Sequence, residues 1–379
     1  MPMGSSTVPR DFPDCVPILV DPVSGVTLRA HAASDLPAIV EQCRDEESRR
    51  WTTVPAPPGA YSLQDARQFA LSMVPAGWTA GDKLVWAIEA TIEGRQRFCG
   101  SIDLRLQGDG SAEVGFGLHP AARGRSVMSA ALRLLRDYAF DVRGLAALRW
   151  RARVGNWGSR RVAAAAGFRY DGSIRRLLPH RGELVDGWVA TITADDRRDP
   201  LPWLDPPVLS GERIRLRPFR PDDAPRIVEA CADARTRFWL ASLPNPYAES
   251  EAGSFLESVR EMSAQGHGLG WCVADVVEDR CIGSLGLHGL GDYSRRGEIG
   301  YWAHPAARAR GAMTEAVTVA TGYAEDHGLT DSLLIRCAVT NLASRHVAEA
   351  AGYRQVGTLA QAERVGDGSL LDLVLYARP

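Results

Sequence analysis

Along the chain, short runs of alternating apolar and polar positions are separated by stretches with helical spacing. From 213 onward, "RIRLRPF" predicts a strand, and "PDDAPRIVEACAD" a helix with proline and acids at its start. "WCVADVV" (271–277) and "CIGSLGLHGL" (281–290) predict strands joined by the turn-like "EDR", and "RGEIGYWAH" (296–304) predicts another. Beyond Pro305, apolar or small residues at 316, 319, 320 and 323 keep a helical period, with Gly328 placed as a C-cap. "SLLIRCAV" (332–339), "NLASRHVAEAAG" (341–352) and "LLDLVLYA" (370–377) then predict strand, helix and strand.

The same order is written twice. "LRAHAASDLPAIVEQCRDEESRRW" (28–51) matches "LRPFRPDDAPRIVEACADARTRFW" (216–239) at an offset of 188. Further on the offset is 185, pairing Trp86 with Trp271, Glu113 with Glu298, Arg123 with Arg308, Tyr138 with Tyr323, Asn156 with Asn341 and Gly167 with Gly352. So long a period signifies a duplicated domain rather than a solenoid. The proline- and charge-rich "TADDRRDPLPWLDPPVLSGE" reads as the connection. The expected organisation is a tail with a first strand over 1–25, a domain over 26–192, a linker over 193–210 and a second domain over 211–379, each of mixed α/β class.

Composition narrows the function classes. With 379 residues and a net charge of −2, the chain has no electrostatic footprint for nucleic acid or an anionic membrane. Lys83 is the only lysine among 44 basic residues, which fits codon bias. The seven cysteines are scattered and form no CxxC pair, against a disulfide framework or a zinc site. No apolar signal-peptide core opens the chain, and the cytoplasm is the expected location.

One loop carries chemistry. In "RARGAMTEA" (308–316) an arginine and a glycine lie between a strand and a helix. A helix start offers unpaired N–H groups and partial positive charge to a diphosphate, and glycine permits close approach. The same pattern also fits an ordinary helix start. The counterpart "RGRSVMSAA" (123–131) has Ser126 where the first has Gly311.

Taken together, "GEIGYWAHPAARARGAMTEA" and "NLASRHVAEAAGY" resemble the GNAT superfamily of N-acetyltransferases, in the RimJ/RimL branch that acetylates protein N-termini. The resemblance implies two GNAT-type domains, each a mixed, mostly antiparallel central sheet flanked by helices (class α/β, or α+β). It implies acetyl-CoA or another acyl-CoA as donor, held by Arg308, Ala309, Arg310, Gly311, Ala312 and Met313, with Asn341 on the pantetheine arm. Met313 and Ala309 depart from the family's small residue and glycine. A possible second donor site comprises Arg123, Gly124, Ser126, Met128, Asn156 and Ser159. Having lost the loop glycine, and with Ala130 in place of Glu315, this copy is expected to bind weakly or not at all.

Transfer to an amine needs a base, an oxyanion donor and an acid for the departing thiolate. Glu298 is the candidate base, sharing a strand face with Gly300 and Trp302; it also reads as a solvated strand-end carboxylate. Ser344 is the candidate acid, with helix capping as its alternative role. The resemblance places the oxyanion donor at a backbone N–H near Ala303. His304 and His119 are turn residues beside proline. Trp51, Trp239, Tyr301 and Trp302 are candidates for the acceptor wall. The acceptor is an amine of a small molecule, an antibiotic, or a peptide or protein N-terminus. The competing function is a non-catalytic acyl-CoA sensor or scaffold. A monomer with pseudo-dimeric domains and a homodimer both remain open.

Overall fold

A computed structural model of the chain describes residues 12, 14–52 and 60–378. Part of the N-terminal tail, and most of the proline-rich stretch after Trp51, lie outside the described residues. The chain divides into two compact units, Met1–Leu201 and Pro202–Pro379.

In the first unit the strands are β1 (Leu19–Val20), β2 (Thr27–Arg29), β3 (Lys83–Ile92), β4 (Arg95–Leu106), β5 (Ser111–Leu118), β6 (Ala147–Arg153), β7 (Arg169–His180) and β8 (Glu183–Thr193). Its helices are α1 (Leu36–Arg44), α2 (Glu46–Trp51), α3 (Leu63–Gln68), α4 (Val74–Ala80), α5 (Val127–Asp137) and α6 (Trp157–Ala165). The second unit repeats the plan with β9 (Leu209–Ser210), β10 (Ile214–Arg217), β11 (Gly268–Asp275), β12 (Cys281–His288), β13 (Arg296–Ala303), β14 (Ser332–Ala338), β15 (Arg354–Arg364) and β16 (Leu370–Arg378). Its helices are α7 (Ala224–Ala232), α8 (Ala234–Trp239), α9 (Glu249–Ala264), α10 (Ala312–Asp326) and α11 (Leu342–Ala350). The sheet orders are β1-β2-β3-β4-β5-β6-β8-β7 and β15-β16-β14-β13-β12-β11-β10-β9. In each sheet the pairing is antiparallel except at one junction, β5 with β6 and β13 with β14.

Alternation in the strands sends side chains to two cores. In the second unit Leu285, Leu287 and Ile299 face α10, where Met313, Ala316, Val317 and Ala320 complete one cluster. Cys272, Ala274 and Cys281 face the other way, against Ala224, Ile227 and Cys231 of α7. Trp86 and Trp271 are fully buried, their indole N–H groups donating to the carbonyls of Pro17 and Pro207 at 3.0 and 2.9 Å. Burying a large apolar side chain contributes about 1.5–3 kcal/mol, so these tryptophans are core. Asp223, Cys272 and Cys281 meet in the interior, but both carboxylate oxygens of Asp223 accept from Arg217 at 2.8 Å. A guanidinium in that position opposes a metal cation. Among the described residues no helix is long and apolar enough to cross a membrane.

Candidate donor loop and acceptor trough

Past β13, Pro305–Ala307 forms a tight turn closed by His304, whose Nδ1 accepts from Ala306 N–H at 3.1 Å. His304 Nε2 lies 3.0 Å from Glu229, so both ring nitrogens serve the turn. His119 repeats the arrangement with Ala121 and Glu41. The chain then passes through left-handed Ala309 (φ 57°) and Gly311 (φ 76°) into α10. The first helical bond runs from Glu315 N–H to Gly311 C=O at 3.1 Å. Among the described residues the N–H groups of Ala309 to Thr314 have no acceptor, which makes them available to an anion.

The first unit bends the same way, through Gly124 (φ 69°) and Ser126 (φ 57°), with Ala130 bonding back to Ser126 at 3.1 Å. Each loop therefore has two left-handed residues and one glycine, at different places. Ser126 replaces one glycine and Ala309 the other, so the backbone does not separate the copies. Neither methionine crowds its loop. Met128 is 3% exposed and Met313 8%, and Met313 Cε lies 2.9 Å from where a Cβ on Gly283 would sit, beneath β12.

What separates the loops is charge beside them. Arg213 Nη1 lies 3.1 Å from the position of a Cβ on Gly311, and its side chain has no carboxylate partner among the described residues. Glu315, in the first turn of α10, accepts from the backbone N–H groups of Glu212 and Arg213 and so fixes that turn over the loop. At the offset of 188 the first unit has Gly25 in place of Arg213, and Ala130 stands in place of Glu315. The sequence reading missed Arg213 because it lies about a hundred residues from the motif.

Arg308 does not reach toward the loop's N–H groups. Its Nη2 is paired with Asp233 and lies 2.7 Å from Thr236 Oγ1. Asp233 is the N-cap of α8, accepting from Thr236 N–H at 3.0 Å. Arg123 makes the same link to Asp45 and Ser48 at the start of α2. In each case the guanidinium holds the aspartate below the usual carboxylate range. The loop arginine thus fastens the donor loop to the helix that carries Trp239 or Trp51.

Next to the loop the sheet opens. β13 and β14 pair only over Arg296–Glu298 with Ser332–Leu334, and Ile299–Ala303 keep β12 alone. β5 and β6 part likewise after Val114 and Trp150. Asn341 caps α11, its Oδ1 accepting from Ser344 N–H at 3.3 Å, as Asn156 does from Ser159 at 3.2 Å. Ser344 Oγ lies 3.0 Å from Tyr301 OH, which also donates to the Ser344 carbonyl at 3.1 Å. Burial pushes the Tyr301 phenol up, so it stays protonated. Tyr301 thereby belongs with Ser344 on the α11 side, not with Trp302 on the acceptor wall as expected. The first unit has Phe116 there, and Ser159 Oγ accepts from Trp150.

On the opposite face, the register of β12 and β13 sets Ser284 against Trp302, Gly286 against Gly300 and His288 against Glu298. Two facing glycines leave a trough in the sheet surface. Glu298 is tied to Arg336 at 2.8–2.9 Å. In the first unit the same rungs are Ser101–Gly117, Asp103–Gly115 and Arg105–Glu113. There Arg105 and Asp103 occupy the floor: a Cβ on Gly115 would lie 2.3 Å from Arg105 Nη2 and 2.9 Å from Asp103 Oδ2. Glu113 is held by Arg105 and Arg151.

The outer walls differ too. Trp239 stands edge-on to Phe238 at 4.8 Å, and the β15–β16 turn docks on α8 through Gly366 N–H to Phe238 C=O at 2.8 Å. In the first unit Arg153 and Arg181 donate to the carbonyls of Arg50 and Arg49 at 2.6 Å. Trp51 has Arg50 and Arg153 over its ring, at 4.9 and 5.4 Å. The adjoining cavity of about 840 Å³ is lined by Asp45, Glu46, Glu47, Arg49, Arg50 and Arg181, a charged surface.

The family model for the acetyltransferase (GNAT) domain matches residues 26–169 and again 213–354. The chain is 30% identical over 171 residues to the "Putative ribosomal N-acetyltransferase YdaF" of Bacillus subtilis (strain 168), covering 44% of this chain and 91% of that protein. Among solved structures it is similar to Mycobacterium smegmatis RimJ in complex with CoA-disulfide, at 24% identity, 48% of this chain, 87% of that one and a TM-score of 0.42. A RimL ribosomal L7/L12 alpha-N-protein acetyltransferase in complex with coenzyme A matches at 19%, 45%, 97% and 0.42. With a domain match in each of its two units, the chain belongs to the GNAT acetyltransferase family and is an N-acetyltransferase.

Proposed function

We propose that the C-terminal unit transfers an acetyl group from acetyl-CoA to the free α-amine of a protein or peptide, and that the N-terminal unit is a non-catalytic partner domain. The observation carrying this reading is the Gly286–Gly300 trough, whose two facing glycines lie beneath the His288 imidazole in one unit, whereas the charged Asp103 and Arg105 side chains take the same rungs in the other. An amine nitrogen needs such a floor to approach an acyl carbon in line with the opening of the sheet. The protein-terminal acceptor is favoured by the relative named for ribosomal N-acetylation.

Acetyl-CoA supplies an activated acetyl thioester. The N–H groups of Ala309 to Thr314 hold phosphate oxygens, with Arg213 as an added cation. The strand edge Ile299–Ala303, freed from β14, offers main-chain groups to the pantetheine arm and an N–H to the acyl oxygen. Tyr301 and Ser344 form a hydroxyl pair able to pass a proton to the departing sulfur. Trp302 and Trp239 border the acceptor's path.

The test is calorimetric titration of the intact protein with acetyl-CoA, paired with mass analysis of hexapeptides starting with Ser, Ala, Thr or Met. We expect a tight site lost in Gly311→Glu and retained in Ser126→Glu, and one acetyl group gained at a peptide N-terminus. A tight site that survives Gly311→Glu and is lost in Ser126→Glu would assign the donor site to the other unit.

A further inference from the structure

The trough needs a proton acceptor, and the carboxylate expected to serve is engaged. Glu298 is held by Arg336, as Glu113 is by Arg151 in the unit whose trough is filled. In both units guanidinium groups take up both oxygens of this carboxylate. Directly across the ladder stands His288. Its Nε2 lies 2.5 Å from where a Cβ on Gly286 would be and 3.8 Å from one on Gly300. The glycines are what allow the imidazole to lie over the floor, and His288 is an exposed residue. In the first unit this rung is Arg105, which cannot accept a proton.

We propose that His288 takes the proton from the incoming ammonium group, with the Glu298–Arg336 pair orienting the imidazole and balancing the imidazolium. This rests on the C-terminal unit being the transferase. An N-terminal amine arrives largely protonated at neutral pH. One N–H bond breaks, its electron pair stays on nitrogen, and the proton goes to the imidazole. The freed lone pair forms the C–N bond to the thioester carbon as the C–S bond breaks. A second amine proton passes to the sulfur by way of the Tyr301–Ser344 hydroxyls, giving amide and free thiol. The imidazolium returns its proton to water, and the net release is one proton.

Partial burial lowers the His288 pKa from its ordinary 6.5, while Glu298 acts to raise it. The balance leaves a neutral imidazole at pH 7, as a base requires. Charge reaches it from Glu298 on β13, and from Arg336 on β14 through that carboxylate. On its other side β11 pairs Gly268 with it, and α9 presents Val259 and Met262 to that strand.

The experiment uses the full chain. The His288 imidazole is titrated by NMR, identified by its absence in His288→Gln, with and without saturating acetyl-CoA, whose binding is read separately by calorimetry. Acetyl transfer to Ser- and Ala-initiated hexapeptides is followed against pH. We expect titration below 6.5, a further fall in Glu298→Gln, and a resonance that moves when acetyl-CoA binds. His288→Gln should keep its acetyl-CoA affinity, lose about a hundredfold or more in kcat and lose the acidic limb of the pH profile. An unchanged kcat and acidic limb in His288→Gln would overturn the proposal. So would acetyl-CoA binding that leaves the resonance unmoved, and that arm decides alone if neither peptide is acetylated. Absence of any acetyl-CoA binding would sink the donor-site reading itself, and this proposal with it.

Discussion

Arg308 shows how a motif residue and its task can part. The sequence places it at the head of the donor loop, whereas its guanidinium is spent on Asp233 and Thr236. Arg308→Gln is therefore expected to raise the acceptor KM about tenfold through misplacement of α8, with a smaller change in acetyl-CoA affinity. Steady-state kinetics and calorimetry on one preparation separate the two. Arg213, which no local pattern marks, has the opposite expectation. Arg213→Ala should weaken acetyl-CoA about fivefold, the roughly 1 kcal/mol of one exposed charge contact, and the loss should shrink as salt is raised. Gly311, Asn341 and Ser344 were legible because each sits in a short motif. His288 was not, since its importance comes from which rung it occupies.

At the scale of elements, two features have measurable consequences. Ala309 holds a left-handed conformation that costs an L-residue about 1–2 kcal/mol. Ala309→Gly removes that strain and adds some unfolded-chain entropy. We expect a net gain of about 0.5–1 kcal/mol in denaturant unfolding, with the donor site intact. The second feature is the cap of α8. Asp233 is held below its ordinary 3.8, mainly by Arg308. A depressed folded-state pKa gives stability that is present above about pH 4 and lost as pH falls through the lower folded value. Melting curves between pH 7 and pH 3 should show a shallower acid loss in Asp233→Asn than in the parent. In the second unit most strands and helices were legible from period alone, but β9, α8, α9 and β15 were not. β15 is exposed along most of its length, so it lacks the apolar alternation that marks its neighbours.

At the scale of the molecule the duplication was plain, since the constant offsets give it directly. Ser126 in place of a glycine is the difference that the sequence displays, yet both loops adopt one backbone. The distinction lies in the sheet, where Asp103 and Arg105 take the rungs of Gly286 and His288. Those residues align at an offset of 183, while the strand opposite aligns at 185. Only the hydrogen-bond register brings the right ones together, because a slip of two residues keeps every side chain on its face. The outcome expected for the whole chain is one tight acetyl-CoA site per molecule. If the free N–H groups of the first loop bind at all, they do so more weakly, without an equivalent of Arg213.

The exchange of glycines between the two loops has a meaning for how such a chain can change over time. Each loop tolerates one side chain in a conformation that disfavours it, and each has put that burden on a different residue. A lineage carrying both side chains in one loop would bear roughly twice the strain, which is a large share of a domain's margin. The route from one arrangement to the other therefore runs through the intermediate with two glycines. Ala309→Gly and Ser126→Gly recreate that intermediate in the two copies, and Gly124→Ala in the first loop marks the edge of the permitted path.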